Sequence, residues 1–514
     1  MELNDKKITK SFVVSKKYKK VLGGSKMSVN TNNITYNRAK TWQIGFFALN
    51  NVATNFYMFL MMYVSYYATG AAGIAVVLVS SLLTSMRMFD AITDPIIGFI
   101  IDKTNTKFGK FRPMMIIGNV ILAISTLILY NFTHRLPEGN PRVIFFVLMY
   151  AIYVIGYTFQ TACTKAAQAC LTNDPTQRPL FTRFDSSYML LMGSVIAMYT
   201  SSYLVPKYGG FTLPAMTEFS TTAVVASAIC TVLAVIGLWE KDREEFFGIG
   251  DKGVKVKFKD YLSVLKGNRA IQMLIVSAAT DKLALQAAAN SSVMVMLYGI
   301  VMGNYALYGK MSLITMIPTF IIIVLGTKYA SKFGSKKALI VTTWLSIIGF
   351  IALFLVIFIG DPTKISLENF NIMTALWIGI FCLANGFKSV SSSIVIPMIA
   401  DCADYETYLT GRYVPGMMGT LFSFVDKMIS SFATTVVGFI VASIGYTSTM
   451  PEVTDAYTPE LFWATSFLFI GLPIIGWVCS LIAMKFYPLD DKKMLEIQAK
   501  LDEIRNEDNQ ALNA

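Results

Sequence analysis

The chain has little charge and almost no histidine, and both shortages narrow the classes of protein to which it can belong. Charged residues make up 15% of its 514 residues, whereas hydrophobic residues make up 54% and the mean hydropathy is +0.54. A water-soluble domain would have to hide nearly all of that apolar surface, so the composition indicates an integral membrane protein. The single histidine, His134, lies in a polar connection, which excludes a membrane-embedded histidine proton relay.

Cysteine is also scarce, and the motifs of common enzymes are missing. The six cysteines show no metal-ligand spacing, and we interpret them as small apolar packing residues without a disulfide. No nucleotide-binding loop, catalytic triad or fused phosphotransfer domain is visible, so we expect neither an enzyme nor an organic cofactor. The basic N-terminus lacks the apolar core of a signal peptide, and the first hydrophobic helix is therefore expected to direct insertion.

Long apolar runs are what the chain has in abundance. They reach roughly 20 residues or more, which is enough for a helix to cross a hydrocarbon core about 30 Å thick. They do not show the short alternating pattern of an outer-membrane barrel. The sequence therefore predicts an all-α membrane protein with twelve transmembrane helices, near residues 43–68, 72–101, 113–131, 143–171, 186–205, 219–239, 270–300, 306–327, 338–360, 371–400, 415–445 and 461–486.

A long hydrophilic loop between spans six and seven divides the chain into two halves. Its sequence is KDREEFFGIGDKGVKVKFKDYLSVLKGN. In addition, DKTNTKFGKFRP after span two is echoed by GTKYASKFGSKKA after span eight, at the same position within each half, which suits a major facilitator fold. The predicted division is a basic N-tail (1–41), a six-helix bundle (42–240), a central loop (241–269), a second six-helix bundle (270–487) and an amphipathic tail (488–514).

The distribution of lysine and arginine predicts the orientation. These residues are concentrated in the N-tail, in the central loop and in the connections on the same side, and they are sparse in the alternate connections. Because cytoplasmic loops are enriched in both, we expect a multi-pass protein of a cell (inner) membrane with both termini in the cytoplasm. The net charge of +12 then reflects topology and contact with membrane lipid rather than binding of nucleic acid.

Five basic residues fall inside predicted spans, namely Arg87, Lys165, Lys282, Lys388 and Lys427. The first belongs to RMFDAITDPIIGF, in which the arginine and two aspartates stand at i, i+3 and i+7 and so share one helical stripe. A charge near the bilayer centre costs roughly 2.5–3.5 kcal/mol on insertion scales, so we expect this stripe to face an interior cavity.

The acids of this stripe, Asp90 and Asp94, predict a cation site. One arginine cannot fully neutralise two carboxylates, and the surplus negative charge invites a cation. The two carboxylates, with the hydroxyl of Thr93 beside them, offer hard oxygen ligands to the metal ion Na⁺, or a protonatable pair for H⁺. The alternative is a structural network in which Arg87 simply neutralises the acids.

Three blocks of sequence carry a resemblance to a known family. RMFDAITDPIIGFIIDKTNTKFGKFRP resembles the helix-two signature of the glycoside-pentoside-hexuronide:cation symporters of the major facilitator superfamily, the melibiose-permease type. IADCADYETYLTGR (399–412) is similar to the acidic cytoplasmic motif of that family, and Lys427 in FSFVDKMISS stands where the family carries a lysine in helix eleven. The resemblance runs from about Ile44 to Tyr487. It implies symport of a sugar or glycoside with Na⁺ or H⁺, by alternating access.

The resemblance also implies residue roles, with some departures in the substrate cavity. By it Asp90, Thr93 and Asp94 hold the cation, and Arg87 and Lys427 flank the cavity. The acid that the family carries in helix one falls at about Thr54, next to Asn55, the acid of helix four falls at Thr161, and an aromatic residue becomes Lys165. These departures count against melibiose as the substrate, and they keep open a carrier for a non-sugar solute such as a lipid.

Lys165 lies four residues after Thr161 and should project from the same face of helix four. If it reaches the cavity, a lysine there favours an anionic substrate, such as a glycoside that carries a carboxylate. The alternative is that its ammonium extends towards the cytoplasm from a position near the end of the helix.

The acidic motif at the end of span ten predicts a cytoplasmic gate. Its members are Asp401, Asp404, Glu406 and Arg412, and we expect them to pair with basic loop residues such as Lys110 or Arg112. A solvated loop is the alternative, because exposed ion pairs contribute little on average.

Overall fold

The computed structural model describes residues 37–104, 106–172, 177–243, 265–411 and 415–512. Within these ranges the backbone forms helices, and its one bridge of strand type joins Thr106 to Gly109. The predicted all-α class is therefore confirmed. The predicted N-tail and most of the predicted central loop lie outside the described residues.

Twelve apolar spans result when the seventh, which is bent, is taken as one span, and this agrees with the predicted number. Each is at least 20 residues long, so a helix at 1.5 Å per residue can cross a bilayer. In chain order α1 to α12 are Thr41–Ala71, Val76–Ile101, Phe111–Arg135, Asn140–Ala166, Leu180–Tyr208, Leu213–Leu238, Arg269–Ala288 with Ser291–Val301, Ala306–Phe333, Ser335–Ile359, Ile372–Thr410, Leu421–Ser443 and Pro459–Phe486.

The spans form two bundles, which we call the N-half (α1 to α6) and the C-half (α7 to α12). In the N-half α1 packs on α6 and α3 on α4, while in the C-half α10 packs on α8 and α9, and α7 on α11 and α12. The two halves meet mainly along α2 with α11 and along α5 with α8. The helix that carries Arg87, Asp90 and Asp94 therefore lies at the boundary between the halves.

The two ends of the molecule differ in how the halves meet. We call the end at which α1 begins and α12 ends the terminal face, and the opposite end the distal face. Near the distal face the hydroxyl of Thr84 donates to the carbonyl of Ser431 at 3.0 Å, the amide of Val76 to the carbonyl of Thr447 at 3.0 Å, and the hydroxyl of Tyr66 to the carbonyl of Pro451 at 2.9 Å. The distal face is therefore sealed.

Glycine makes the close contact between the halves possible at one of these crossings. The N–H of Gly309 on α8 donates to the hydroxyl of Ser201 on α5 at 3.1 Å. A Cβ at Gly309 would lie 2.6 Å from the Cα of Met198. A larger residue would therefore push the two halves apart at this crossing.

At the terminal face the halves are separated by a cavity of about 1560 Å³. Its walls come from α4 and α5 of the N-half and from α8 and α10 of the C-half. The protein is thus open towards the terminal face and closed towards the distal face.

The tail after α12 forms a helix, α13 (Asp491–Leu512), which packs on the C-half. Ile497 and Leu501 are buried, while the amide of Gln498 donates to Asp404 at 2.8 Å. The hydroxyl of Tyr408 donates to Glu496, also at 2.8 Å. The apolar side of this amphipathic helix therefore covers the terminal end of α10.

Candidate cation and substrate site

A lysine from the C-half lies between the two acids of the N-half. The Nζ of Lys427, on α11, lies 2.6 Å from Oδ2 of Asp94 and 3.2 Å from Oδ2 of Asp90. The side chain of Lys427 is 33% exposed, that of Asp94 37% and that of Asp90 19%, so this pairing is neither fully buried nor free in solvent. The ammonium thus occupies the place between the carboxylates where a coupling cation is expected.

The second oxygen of Asp90 is held by helix four. The hydroxyl of Thr158 lies 3.1 Å from Oδ1 of Asp90 and also 3.1 Å from the hydroxyl of Thr93. The Thr93 hydroxyl donates to the backbone carbonyl of Asp90 at 3.0 Å. Thr158 was not predicted from the sequence, and it is the hydroxyl that touches the acid directly, whereas Thr93 acts through it.

Arg87 does not pair with the acids of its own stripe. It is exposed and lines the central cavity, and within the described part of the chain it makes no ion pair. The network in which Arg87 neutralises Asp90 and Asp94 is therefore not what the structure shows, because Lys427 takes that position. A guanidinium is left facing the cavity.

The central cavity has a volume of about 490 Å³ and lies between the halves. The N-half contributes methionines of α1 and three tyrosines of α4, Tyr150, Tyr153 and Tyr157. The C-half contributes polar residues of α7 and α11, among them Lys282 and Gln286. This mixture of aromatic faces and hydrogen-bonding groups can bind a small polar molecule with apolar ring faces.

A second ion pair lies beside the first but stays within the C-half. The ammonium of Lys282 on α7 bonds to the carboxylate of Asp426 on α11. The side chain of Asp426 keeps 11% of its exposure and that of Lys282 keeps 43%. Asp426 therefore holds Lys282 at the wall of the central cavity.

Four of the six residues predicted to line the substrate cavity do not line the central cavity, namely Thr54, Asn55, Thr161 and Lys165. The hydroxyl of Thr54 donates to the carbonyl of Asn50 at 2.9 Å and lies 3.3 Å from the amide oxygen of Gln160. The amide of Asn55 donates to the carbonyl of Asn51 at 2.7 Å. Both are buried between helices of the N-half and are not among the residues that line the central cavity.

Helix four places Thr161 and Lys165 differently. The hydroxyl of Thr161 donates to the carbonyl of Thr158 at 3.2 Å, one turn from the acid site. Lys165 is exposed and lines the terminal cavity together with Arg183 of α5, and the described residues that line this cavity include no acid. Lys165 thus faces the path between the central site and the terminal face.

The predicted gate acids lie at the terminal end of α10, but not in the predicted pairing. Glu406 accepts from the amide of Asn268 at 2.9 Å, Asp404 binds α13, and Asp401 is partly exposed. Arg412 lies outside the described residues. Arg112 pairs instead with Asp242 at 3.3 Å, and the backbone N–H of Lys110 donates to the same carboxylate at 2.9 Å.

Comparison with known proteins agrees with this architecture. The family model described as "MFS/sugar transport protein" matches residues 46–491. Among solved structures the nucleoside transporter NupG aligns with a TM-score of 0.59 at 12% identity, covering 88% of this chain and 99% of that one. A bacterial homolog of the human lysosomal transporter Spinster, in an inward-facing and unoccupied conformation, aligns with a TM-score of 0.57 at 15% identity, covering 92% of this chain and 99% of that one.

Curated relatives match over nearly the whole chain. The "Glucuronide carrier protein homolog" of Escherichia coli (strain K12) is 23% identical, covering 91% of this chain and 96% of that protein. The "Isoprimeverose transporter" of Lactiplantibacillus pentosus is 22% identical, covering 87% and 89%. Together with the helix-two signature and the family model, these matches confirm that the chain belongs to the MFS/sugar transport proteins and, within them, to the glycoside-pentoside-hexuronide:cation symporters.

Proposed function

We propose that this protein carries a glycoside into the cell together with Na⁺ or H⁺, with the cation bound at Asp90 and Asp94 and the sugar in the central cavity. The observation that carries the proposal is the position of Lys427, an ammonium of the C-half between two carboxylates of the N-half. The same two carboxylates cannot hold Lys427 and a second cation equally well. Cation binding is thereby linked to the contact between the halves.

The competition for the carboxylates explains how cation and substrate favour each other. When a cation occupies the acids, Lys427 loses its partners and is left as an unpaired ammonium in a partly dry cavity, which is unfavourable. A substrate that offers oxygen acceptors relieves that cost, because Lys427 lies on the wall of the same cavity. The cation therefore raises the affinity for the substrate, and by linkage the substrate raises the affinity for the cation to the same extent.

The site suits either coupling ion. Two carboxylates and the hydroxyl of Thr158 are hard oxygen ligands of the kind that bind Na⁺. A proton on either carboxylate would likewise remove a negative charge that Lys427 now neutralises. Both ions would act by the same competition with Lys427.

The charge of the pathway favours a glycoside that carries a carboxylate. Arg87 faces the central cavity, and Lys165 and Arg183 face the terminal one, without an ion pair in the described part of the chain. A cationic wall attracts an anionic solute and concentrates it. The name of the E. coli relative, a glucuronide carrier protein homolog, points to the same class of substrate.

The proposed topology places the terminal face in the cytoplasm of a bacterial inner membrane, because the basic connections lie on that side. With this orientation the structure is inward-facing: the distal seal is closed to the outside and the terminal cavity is open to the cytoplasm. Rocking of the two halves about the central site would open the distal seal in turn.

Uptake into proteoliposomes tests the proposal. Methyl glucuronide and methyl glucoside would each be offered under an inward Na⁺ gradient and, separately, under an inward H⁺ gradient. We expect accumulation above equilibrium under one of the two gradients, with the glucuronide preferred. Absence of glycoside uptake under both gradients would favour a facilitator for a non-sugar solute such as a lipid, the reading that the changes at Thr54 and Thr161 leave open.

A further inference from the structure

The polar stripe of α7 forms a wall of the central cavity that the cation site does not use. Lys282 and Gln286 stand at i and i+4 on the first segment of α7, Asn290 follows in the break of the helix, and all three line the cavity. Two of them are engaged within the protein. Lys282 bonds to Asp426, and the side-chain oxygen of Asn290 accepts from the backbone N–H of Ser292 at 3.0 Å.

Gln286, between them, is different. It is partly buried, and its amide makes no hydrogen bond to any other described residue. A primary amide offers two donors and two acceptor lone pairs, and its desolvation is costly unless they are satisfied. In a cavity at membrane depth those positions are left for water or for a substrate.

The helix breaks between Ala288 and Ser291, where this stripe ends. The segments Arg269–Ala288 and Ser291–Val301 of α7 are bent by 53°. At the bend the hydroxyl of Ser291 donates to the backbone carbonyl of Met62 on α1 at 2.6 Å, which links the C-half to the N-half. Gln286 therefore lies about one turn from a contact between the halves on the distal side of the cavity.

We propose that Gln286 is a specificity-determining contact of the C-half, and that its amide binds neighbouring ring hydroxyls of the glycoside while Arg87 of the N-half faces the charged end. This inference rests on the proposed function. An amide that both donates and accepts matches a pair of ring hydroxyls, each of which can do the same. A substrate held in this way spans the two halves, with one of its contacts beside the bend of α7.

The chain provides a matched control on the same helix. Gln272 lies near the beginning of α7, where its amide donates to the carbonyls of Leu265 at 2.7 Å and Lys266 at 3.1 Å. It is not among the residues that line either cavity. Gln272→Ala and Gln286→Ala therefore remove the same side chain from the same helix, but only the second removes it from the cavity.

The test is the affinity of purified protein for methyl glucuronide and for its monodeoxy analogues, each of which lacks one ring hydroxyl. We expect Gln286→Ala to weaken binding of the parent sugar by about tenfold, to leave binding of one or two deoxy analogues nearly unchanged, and to leave the cation affinity measured without sugar unchanged. Gln272→Ala should bind every sugar as the wild type does.

The possible failures can be told apart. An equal loss for the parent sugar and for every deoxy analogue would mean that Gln286 only supports the fold, and would overturn the inference. Binding by Gln286→Ala that matches Gln272→Ala would overturn it as well, while leaving the symport proposal in place. A wild-type protein that binds neither methyl glucuronide nor methyl glucoside would overturn the proposed function, and the inference with it.

Discussion

Lys427 on α11 and Lys282 on the neighbouring α7 form ion pairs that differ in whether they cross the boundary between the halves. Lys427 bonds across the boundary between the halves, to Asp90 and Asp94 of α2, and Asp90 is part of the wall of the central cavity. Lys282 bonds within the C-half, to the buried Asp426. An ion pair that crosses the boundary links cation binding to conformation, because replacing its ammonium by another cation changes the contact between the halves. An ion pair inside one rigid half can only position groups and stabilise that half.

The difference also follows from burial. Asp426 is largely shielded, so an ammonium beside it compensates a charge that water cannot reach well. Asp94 is more exposed, and water or a free ion can replace Lys427 there at a lower cost. The exchangeable pair is therefore the one whose carboxylates are the more exposed.

The largest effect is expected from removing an exchangeable carboxylate. Asp94→Asn should abolish accumulation of the glycoside against its gradient. The uncharged amide binds the coupling cation poorly, and the cation then cannot displace Lys427. Exchange of sugar for sugar should survive, since the cavity is otherwise unchanged. Uptake and exchange by the same proteoliposomes measure this, and a variant that still accumulates sugar would remove Asp94 from the cation site.

Removing the competing ammonium of Lys427 should raise the affinity for the coupling ion. Lys427→Ala leaves Asp90 and Asp94 without their internal cation, so we expect the coupling ion to bind up to about tenfold more tightly, while accumulation falls. Titration of the coupling ion against the purified protein, read by intrinsic tryptophan fluorescence, measures the affinity. Lys282→Met is the matched control, and it should leave the cation affinity unchanged. Equal effects of the two substitutions would contradict a special role for the pair that crosses the halves.

The pair within the C-half should instead affect stability. Lys282→Met leaves the carboxylate of Asp426 without its ammonium, which should lower the free energy of unfolding by roughly 1–3 kcal/mol and lower the Tm. Adding Asp426→Asn to that variant should recover most of the loss, because the uncompensated charge is then gone. Thermal unfolding in detergent measures both, and a double variant less stable than Lys282→Met would argue against this ion pair.

A substitution in the terminal cavity should have a smaller and selective effect. Lys165 is exposed there, so its attraction for a carboxylate is only of the order of 1 kcal/mol in water. Lys165→Ala should reduce uptake of methyl glucuronide about fivefold more than uptake of methyl glucoside. Equal losses for the two sugars would show that Lys165 does not select for charge. The alternative, in which its ammonium only extends towards the cytoplasm, would then hold.

An effect of pH is expected at the distal seal, in the connection between α11 and α12. Burial, reinforced by the charge of Asp455, raises the pKa of Glu452 to about 7, although the N–H of Phe211, 3.4 Å away, partly offsets this. The raised pKa belongs to the sealed state, so the carboxylate opposes sealing above pH 7. That opposition is lost as the pH falls towards the ordinary pKa of a glutamate. Acidic pH should therefore favour the sealed distal face.

Labelling of a cysteine behind the seal measures this effect. Ser65→Cys, in a background without the native cysteines, can be treated from the distal side with a membrane-impermeant maleimide. Relative to the same cysteine in a Glu452→Gln background, labelling should fall by up to about tenfold between pH 8 and pH 6. A ratio that stays constant over this range would show that Glu452 does not influence the seal.

The sequence predicted the elements and one side of the site, because those depend on local pattern. Twelve apolar runs, the loop between the halves and the spacing of Arg87, Asp90 and Asp94 are all legible along the chain. The partner of the two acids is not. Lys427 is more than 330 residues away, and its family position suggested only that it flanks the cavity.

The remaining residues of the site depend on how helices are rotated against each other. Thr158 rather than Thr161 touches Asp90, since the face of α4 that meets α2 is fixed by packing and not by spacing. Thr54 was placed in the cavity by resemblance, but it bonds to Asn50 and Gln160 inside the N-half.

The dependence of sugar affinity on the cation tests the central claim most directly. The Kd of methyl glucuronide would be measured on purified wild-type protein and on Asp94→Asn, with saturating Na⁺, at high H⁺ concentration, and with neither. We predict that one of the two cations lowers the Kd of the wild type and that neither lowers the Kd of Asp94→Asn. A wild-type Kd that is the same under all three conditions would contradict a cation at Asp90 and Asp94 that competes with Lys427.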